Sequence, residues 1–217
     1  MKKLLIFSIA MLFNASSIFS QEIIGFDSDS QNRVGFKLGY HVSNMNFIID
    51  GRKEKTSSAS SFHAAIFYEL PFANRFYLQP ALSLFEKGST LSNSGSPVEL
   101  NPLYIEVPVN ILAKIEFGNG QLFFGGGPYV ALGIAGSVAS NIDSFGRGDG
   151  HSISYGSDPS KNDLKKFDYG VNILAGYQLN RNFSLGVGYG IGLANVWPPD
   201  SGSLKNKVVS FSVGIIL

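Results

Sequence analysis

Ionisable side chains recur in this sequence at alternate positions of otherwise apolar segments: Lys37 and His41, His63 and Glu69, Glu106, Lys114 and Glu116, and Asp168. Opposite charges brought onto one face can neutralise each other as a polar core, or they can line a conduction path. The six charges Lys37, Glu69, Glu106, Lys114, Glu116 and Asp168 are read here as a structural interior network, with Glu106 facing Lys114 or Lys37 as the expected pair. His41 and His63 have the donor chemistry of metal ligands, yet no carboxylate or third histidine stands at ligand spacing, so they read as interior histidines. Asp143, Asp149, Asp158 and Asp163 offer oxygens without the spacing of a calcium loop. Arg147-Gly148-Asp149 spells an integrin-type tripeptide and marks a candidate contact, and His151-Ser152 beside Asp149 invites a hydrolase reading. Adjacency in sequence is weak evidence for either. Gly125-Gly126-Gly127 fits neither dinucleotide spacing nor the opening of a helix, so close strand packing accounts for it better than a phosphate cradle.

These residues need elements to position them, and the elements have a period of two. From Phe167 to Leu179 every odd residue is apolar, and among the even ones only Leu174 is large and apolar. Successive side chains of a strand point to opposite faces, so this segment has one greasy face and one small or polar face. Leu103 to Phe117 and Phe183 to Leu193 alternate in the same way, the latter with glycines at 186, 188, 190 and 192. Val34 to Val42, Phe62 to Leu70, Phe76 to Leu84, Leu122 to Ile134 and Val209 to Leu217 complete a set of eight strands.

Their connections alternate as well. Long ones run through Ile48 to Ser61, Gly88 to Pro102, Ala135 to Lys166 and Val196 to Lys207; short ones are Pro71 to Arg75, Gly118 to Gln121 and Asn180 to Asn182. Short turns on one side and long loops on the other describe an up-and-down barrel of the outer-membrane type, with both ends in the periplasm. A soluble lipocalin-like ligand carrier would also alternate, with its greasy face inside. Charge decides between them: no apolar-face position in the eight segments is charged. A charge turned to lipid near mid-membrane costs roughly 2 to 4 kcal/mol, so strict exclusion is expected of a lipid-facing surface. Four alternating glycines also suit the crowded interior of eight strands. Phe76, Phe117, Tyr177 and Phe183 fall where an interfacial girdle belongs. Pro80, Pro108 and Pro128 each remove a ladder donor, so bulges or local ladder breaks are expected there.

Composition agrees with this reading. The 25 glycines, 18 phenylalanines and nine tyrosines, with only 15% charged residues, favour strands over helices and exclude disorder. A net charge of +1 with scattered basic residues excludes a nucleic-acid stripe. Met1-Lys2-Lys3 followed by the apolar run Leu4 to Phe13 has the order of a secretory signal cut after Ser20. The expected organisation is a signal peptide over 1–20, a polar lead over 21–33 and a barrel over 34–217. With no cysteine, neither a lipid-attachment thiol nor a disulfide framework is available.

Gly35-Phe36-Lys37-Leu38-Gly39, Gln79-Pro80 with Lys87-Gly88, and Tyr104-Ile105-Glu106-Val107-Pro108 resemble the PorT-like outer-membrane β-barrel family of Bacteroidota across the mature chain. The resemblance implies an all-β fold, an eight-stranded antiparallel transmembrane barrel in the cell outer membrane, and for a few members service to a type IX secretion system. It brings no catalytic residues. The expected protein is therefore a monomeric barrel without cofactor or enzymatic activity, contacting outer-membrane lipid and envelope or secretion-system proteins. A small channel, a hydrolase at the rim acting on lipid or peptide, and the soluble carrier are the alternatives.

Overall fold

The computed structural model describes residues 32–217 apart from 94–95, 141–148, 181 and 201, so the expected signal peptide, Asp143, Arg147 and Gly148 lie outside the described residues. Among the described residues the strands are β1 (Arg33–Ile49), β2 (Arg52–Lys53), β3 (Thr56–Ala73), β4 (Phe76–Glu86), β5 (Ser89–Asn93), β6 (Ser96–Phe117), β7 (Gly120–Ser140), β8 (Asp149–Ser152), β9 (Phe167–Leu179), β10 (Phe183–Gly192) and β11 (Gly202–Ile216). Eight of them close a ring in the order β1-β3-β4-β6-β7-β9-β10-β11, and β11 returns to β1 from Gly35↔Ile216 to Ile49↔Gly202. Every pairing in the ring is antiparallel. Three short strands sit outside it: β2 folds back on β1, β5 bridges β3 and β6, and β8 lies on β7.

Closure leaves two faces, and over most of the height they carry opposite chemistry. Leu38, Ile173 and Leu185 point outward and are 68%, 59% and 61% exposed, whereas Glu69, Glu106, Lys114 and Asp168 point inward and are buried. Hydrocarbon supplies no hydrogen-bond partner, so a spanning sheet must pair every strand edge and keep its polar side chains inside. This belt ends below at the short turns Asn74-Arg75 and Gly118-Asn119 and at Asn180, with positive φ at Arg75, Gly118 and Asn180.

At the other end the strands outrun the expected boundaries. β1 continues from Val42 to Ile49, β3 begins at Thr56 instead of Phe62, β6 at Ser96 instead of Leu103, β7 reaches Ser140 and β11 begins at Gly202. At about 3.4 Å per residue and a tilt near 40°, this extension of the wall stands roughly 15 Å beyond the belt. Here the polarity of the faces is exchanged. Along β1 the inward series Lys37, Gly39, His41, Ser43 continues as buried Met45 and Phe47, while the outward residues become Asn44 and Asn46. Leu91, Leu100, Val138 and Leu204 join them from the wall, and Ile153, Leu164, Ala194 and Val196 from the connections, as one apolar core across the mouth.

A bulge helps to build that core. The β6–β7 register shifts between Leu103↔Ala135 and Tyr104↔Gly133, so inward parity on β7 passes from odd residues such as Tyr129 and Ala131 to Val138. The second register shift lies between Pro71 and Ala73. At Pro80, Pro108 and Pro128 there is no shift. Instead the paired partners skip from Pro80↔Val109 to Ser83↔Glu106, and from Pro108↔Tyr129 to Ile111↔Gly126. The missing proline donors thus interrupt the ladders without changing which side chain faces inward.

Candidate functional site

The barrel interior holds two polar clusters at different heights. Nearer the short turns, Lys114 Nζ lies 2.6 Å from Glu69 Oε2 and donates at 2.8 Å to Gln178 Oε1. Gln79 donates to the other oxygen of Glu69 at 2.9 Å and accepts from Lys37 Nζ at 2.8 Å, so an amide relays Lys37 to the carboxylate. Aromatic faces take part of the remaining charge, with Lys37 4.5 Å from the Phe67 ring centroid and Lys114 4.5 Å from that of Tyr77.

Nearer the mouth, Lys87 Nζ sits 2.7 Å from Glu106 Oε2 and 3.1 Å from Asp168 Oδ2. Asn206 and Tyr129 also donate to that Asp168 oxygen, at 2.9 and 3.3 Å, and the Tyr129 ring centroid lies 4.3 Å from Lys87. Buried charges carry a large desolvation cost, which close pairing and further donors offset. Between the clusters lies a cavity of about 110 Å³, lined by Lys37, His63, Asn110, Asn172, Ser184 and Ser210 among others. Glycines 186, 188 and 190 open it, because the nearest atoms to a methyl group there would be a serine hydroxyl or the Asn172 amide.

The sequence-expected residues are thus placed unevenly. Lys37, Glu69 and Lys114 share one cluster, while Glu106 and Asp168 belong to the other, so the expected pairing of Glu106 with Lys114 or Lys37 is corrected to Lys87 with Glu106 and Lys114 with Glu69. Glu116 is corrected too. It is exposed beside the Gly118 turn, where the end of the strand lifts its side chain clear of the interior. Lys87 lies beyond the expected strand end at Leu84, although the inward parity Gln79, Ser83, Phe85 extends to it. Gln79, Gln178 and Asn206 complete the clusters as uncharged partners, which a pattern of opposite charges does not mark.

His41 donates from Nε2 to the Glu86 carbonyl at 2.7 Å, and His63 stacks on Phe85 with centroids 4.5 Å apart. Among the described residues no group of three or more His, Asp or Glu converges as a metal site would require. In the long connection, His151 meets Asp163 at 3.1 Å rather than Asp149, and Ser152, next along the strand, is turned to the opposite side. Asp158 binds Ser160 through its backbone and hydroxyl, which holds its carboxyl below the usual range. Asp149 opens β8, exposed. These carboxylates do not converge on one point. Tyr155 donates to the Ala135 carbonyl at 2.7 Å, and burial pushes its phenol up. Lys165 N–H to Val196 O and Val196 N–H to Leu204 O tie the two longest connections to each other and to β11 across the mouth.

No curated protein matches this sequence. Among solved structures, the chain is similar to Ail, the attachment invasion locus protein of Yersinia pestis, in complex with the heparin analogue sucrose octasulfate, at 17% identity over 86% of this chain and 99% of that one, TM-score 0.44. It is similar to Neisserial surface protein A at 11% identity over 83% and 96%, TM-score 0.40. The outer membrane protein OprG of Pseudomonas aeruginosa follows at 12% identity over 87% and 97%, TM-score 0.41. The family described as outer membrane protein beta-barrel domain matches residues 19–197, well over half of the sequence. The match agrees with the apolar belt around a closed eight-strand ring, and this chain belongs to the outer membrane protein beta-barrel domain family and resides in the outer membrane.

Proposed function

We propose that the protein is a non-conducting, non-enzymatic anchor whose extramembrane wall presents a rigid surface to other envelope proteins. The observation that carries this reading is the apolar core that closes the mouth above the interior cavity. Two ion-paired clusters lie in the interior, and above them Met45, Phe47, Leu100, Val138 and Leu204 meet Ile153, Leu164 and Val196 in an apolar core. A water path would have to breach that core, where it finds no polar partner. The extended wall favours contact as a role: it is held by ladders and tied connections rather than by mobile loops, so a partner would order few residues on binding. A link to secretion or envelope assembly, and the PorT-like kinship from which it comes, belong to this proposal.

Two measurements test it. Purified protein in planar bilayers is expected to show no steady conductance, and steps that persist across preparations would favour a channel instead. In vivo crosslinking from cysteines placed at Ser58 or Ser203, on the outer side of the wall, is expected to capture a reproducible envelope partner that cysteines at periplasmic turn positions do not. Failure of both sites to yield any product would sink the contact role while leaving the closed lumen untouched.

A further inference from the structure

The outside of the extended wall is not uniform in charge. On β11 the outward residues Val209 and Phe211 belong to the lipid belt, and the next two outward steps are Lys207 and Lys205. Lys207 stands opposite Asn44 and Lys205 opposite Asn46 on β1, and Lys53 on β2 stands opposite Ile48. With about 4.8 Å between strands and 3.4 Å per residue, the Cα atom of Lys205 falls roughly 7 Å from that of Lys207 and roughly 12 Å from that of Lys53, with Lys53 and Lys207 roughly 17 Å apart. Lys53 and Lys207 are exposed and Lys205 is half-buried. None of the three has a carboxylate within ion-pair distance among the described residues; the acids of this edge are Asp50 at the hairpin tip, Glu54 and Asp200. Elsewhere on the outer face, Glu86 at the end of β4 and Glu99 on the extended part of β6 stand at outward positions.

From this geometry we infer that the β11–β1–β2 edge seats the phosphate groups of outer-leaflet lipid. The height is right, since Lys207 is one outward step above the hydrocarbon-facing Val209, which is the level of a headgroup whose acyl chains lie along Phe211, Tyr40 and Tyr189. The chemistry is right as well. Ammonium groups are compact point charges that hold phosphate through charge and donated hydrogen bonds, and Asn44, which bridges Thr56 and Ser58, and Asn46 provide polar neighbours. Glu86 and Glu99 repel the same headgroups, so the lysine edge is the lipid-selective one.

The full mature chain, folded in zwitterionic micelles, would be titrated with diphosphorylated lipid A, its monophosphorylated form and inorganic phosphate, with binding read by native mass spectrometry. The diphosphorylated lipid is expected to bind several-fold more tightly than the monophosphorylated one, and millimolar inorganic phosphate is expected not to displace it. Replacing Lys53, Lys205 and Lys207 together by Gln weakens binding on the order of a hundredfold and any one of them about fivefold, at the usual contribution of a lysine near an anionic surface. Lys161→Gln, on the distant connection, changes nothing. Heat-modified gel migration confirms that each variant remains a folded barrel, and salt titration of the unaltered protein gives a second readout, with affinity falling as ionic strength rises. Triple-variant binding equal to the parent, displacement by inorganic phosphate, or salt-independent affinity would each overturn the proposal.

Discussion

The lipid belt and the extended wall are built by the same strands with opposite rules. In the belt, β1 turns Phe36, Leu38 and Tyr40 outward and Lys37 and His41 inward; from three residues past His41, the same strand turns Asn44 and Asn46 outward and Met45 and Phe47 inward. The backbone does not change, and the pleat continues through the boundary. What changes is the solvent on the outer face. Hydrocarbon outside forces polar groups into the interior, where each must find a partner, whereas water outside permits an ordinary apolar core. The belt is therefore held by a few strong, geometrically demanding interactions, and the wall above it by many weak, forgiving ones.

The sharpest way to break that contrast is to remove one member of a belt cluster. Lys87→Met leaves Glu106 and Asp168 facing each other without their shared cation in a buried site. Losing one partner of a buried pair costs about 3 to 5 kcal/mol. Urea unfolding of the barrel from lipid vesicles should show a loss of that size, and Lys87→Met combined with Glu106→Gln and Asp168→Asn should recover most of it. A Lys87→Met barrel as stable as the parent would mean that the cluster is not the belt's main fastening.

The contrast also explains what could be read from the sequence. Strand number, the alternation of short and long connections, and the lipid-facing side were all legible, because a single rule, apolar outward, holds through the belt. Applied beyond Val42, the same rule fails. Met45 and Phe47 share the parity of Lys37, so a strand that continues looks like a strand that has ended; on β3 the signal is lost differently, since Ser57, Ser58, Ser60 and Ser61 give no alternation at all. One local signal did mark the continuation: Asp50-Gly51 is a two-residue hairpin turn with positive φ at both positions, 49° and 76°. Ion-pair partners were less legible, since they depend on strand stagger. Lys87 and Asp168 are 81 residues apart and meet only because the ring closes with its particular register.

The same substitution at two heights sharpens the comparison with a smaller expected effect. Ile173, outward on β9 in the middle of the belt, replaced by Lys should destabilise the barrel by about 2 to 4 kcal/mol, the depth-dependent cost of a cation in hydrocarbon. Asn46→Lys, outward on β1 above the belt, should stay within about 0.5 kcal/mol, as solvated surface changes do. Unfolding free energies from vesicles decide it, and equal effects at the two sites would move the edge of the hydrocarbon.

The smallest effect is expected at the tip of the wall, and it separates the wall from the belt most cleanly. Asp50 holds φ of 49°, a left-handed conformation that Asp and Asn tolerate and β-branched residues do not. Asp50→Val should therefore cost about 1 to 2 kcal/mol. The cost falls on the β1–β2 pairing alone, which rests on Ile48↔Lys53 and Ile49↔Arg52. Because those few bonds are not shared with the lipid belt, global unfolding in urea should stay close to that of the parent, while protease cleavage near residues 50–54 should accelerate by roughly tenfold, following the local opening free energy. Asp50→Asn, which tolerates the same φ, should leave both rates unchanged. If Asp50→Val instead lowered global stability by its full local cost, wall and belt would unfold as one cooperative unit, and their opposite construction would not extend to their energetics.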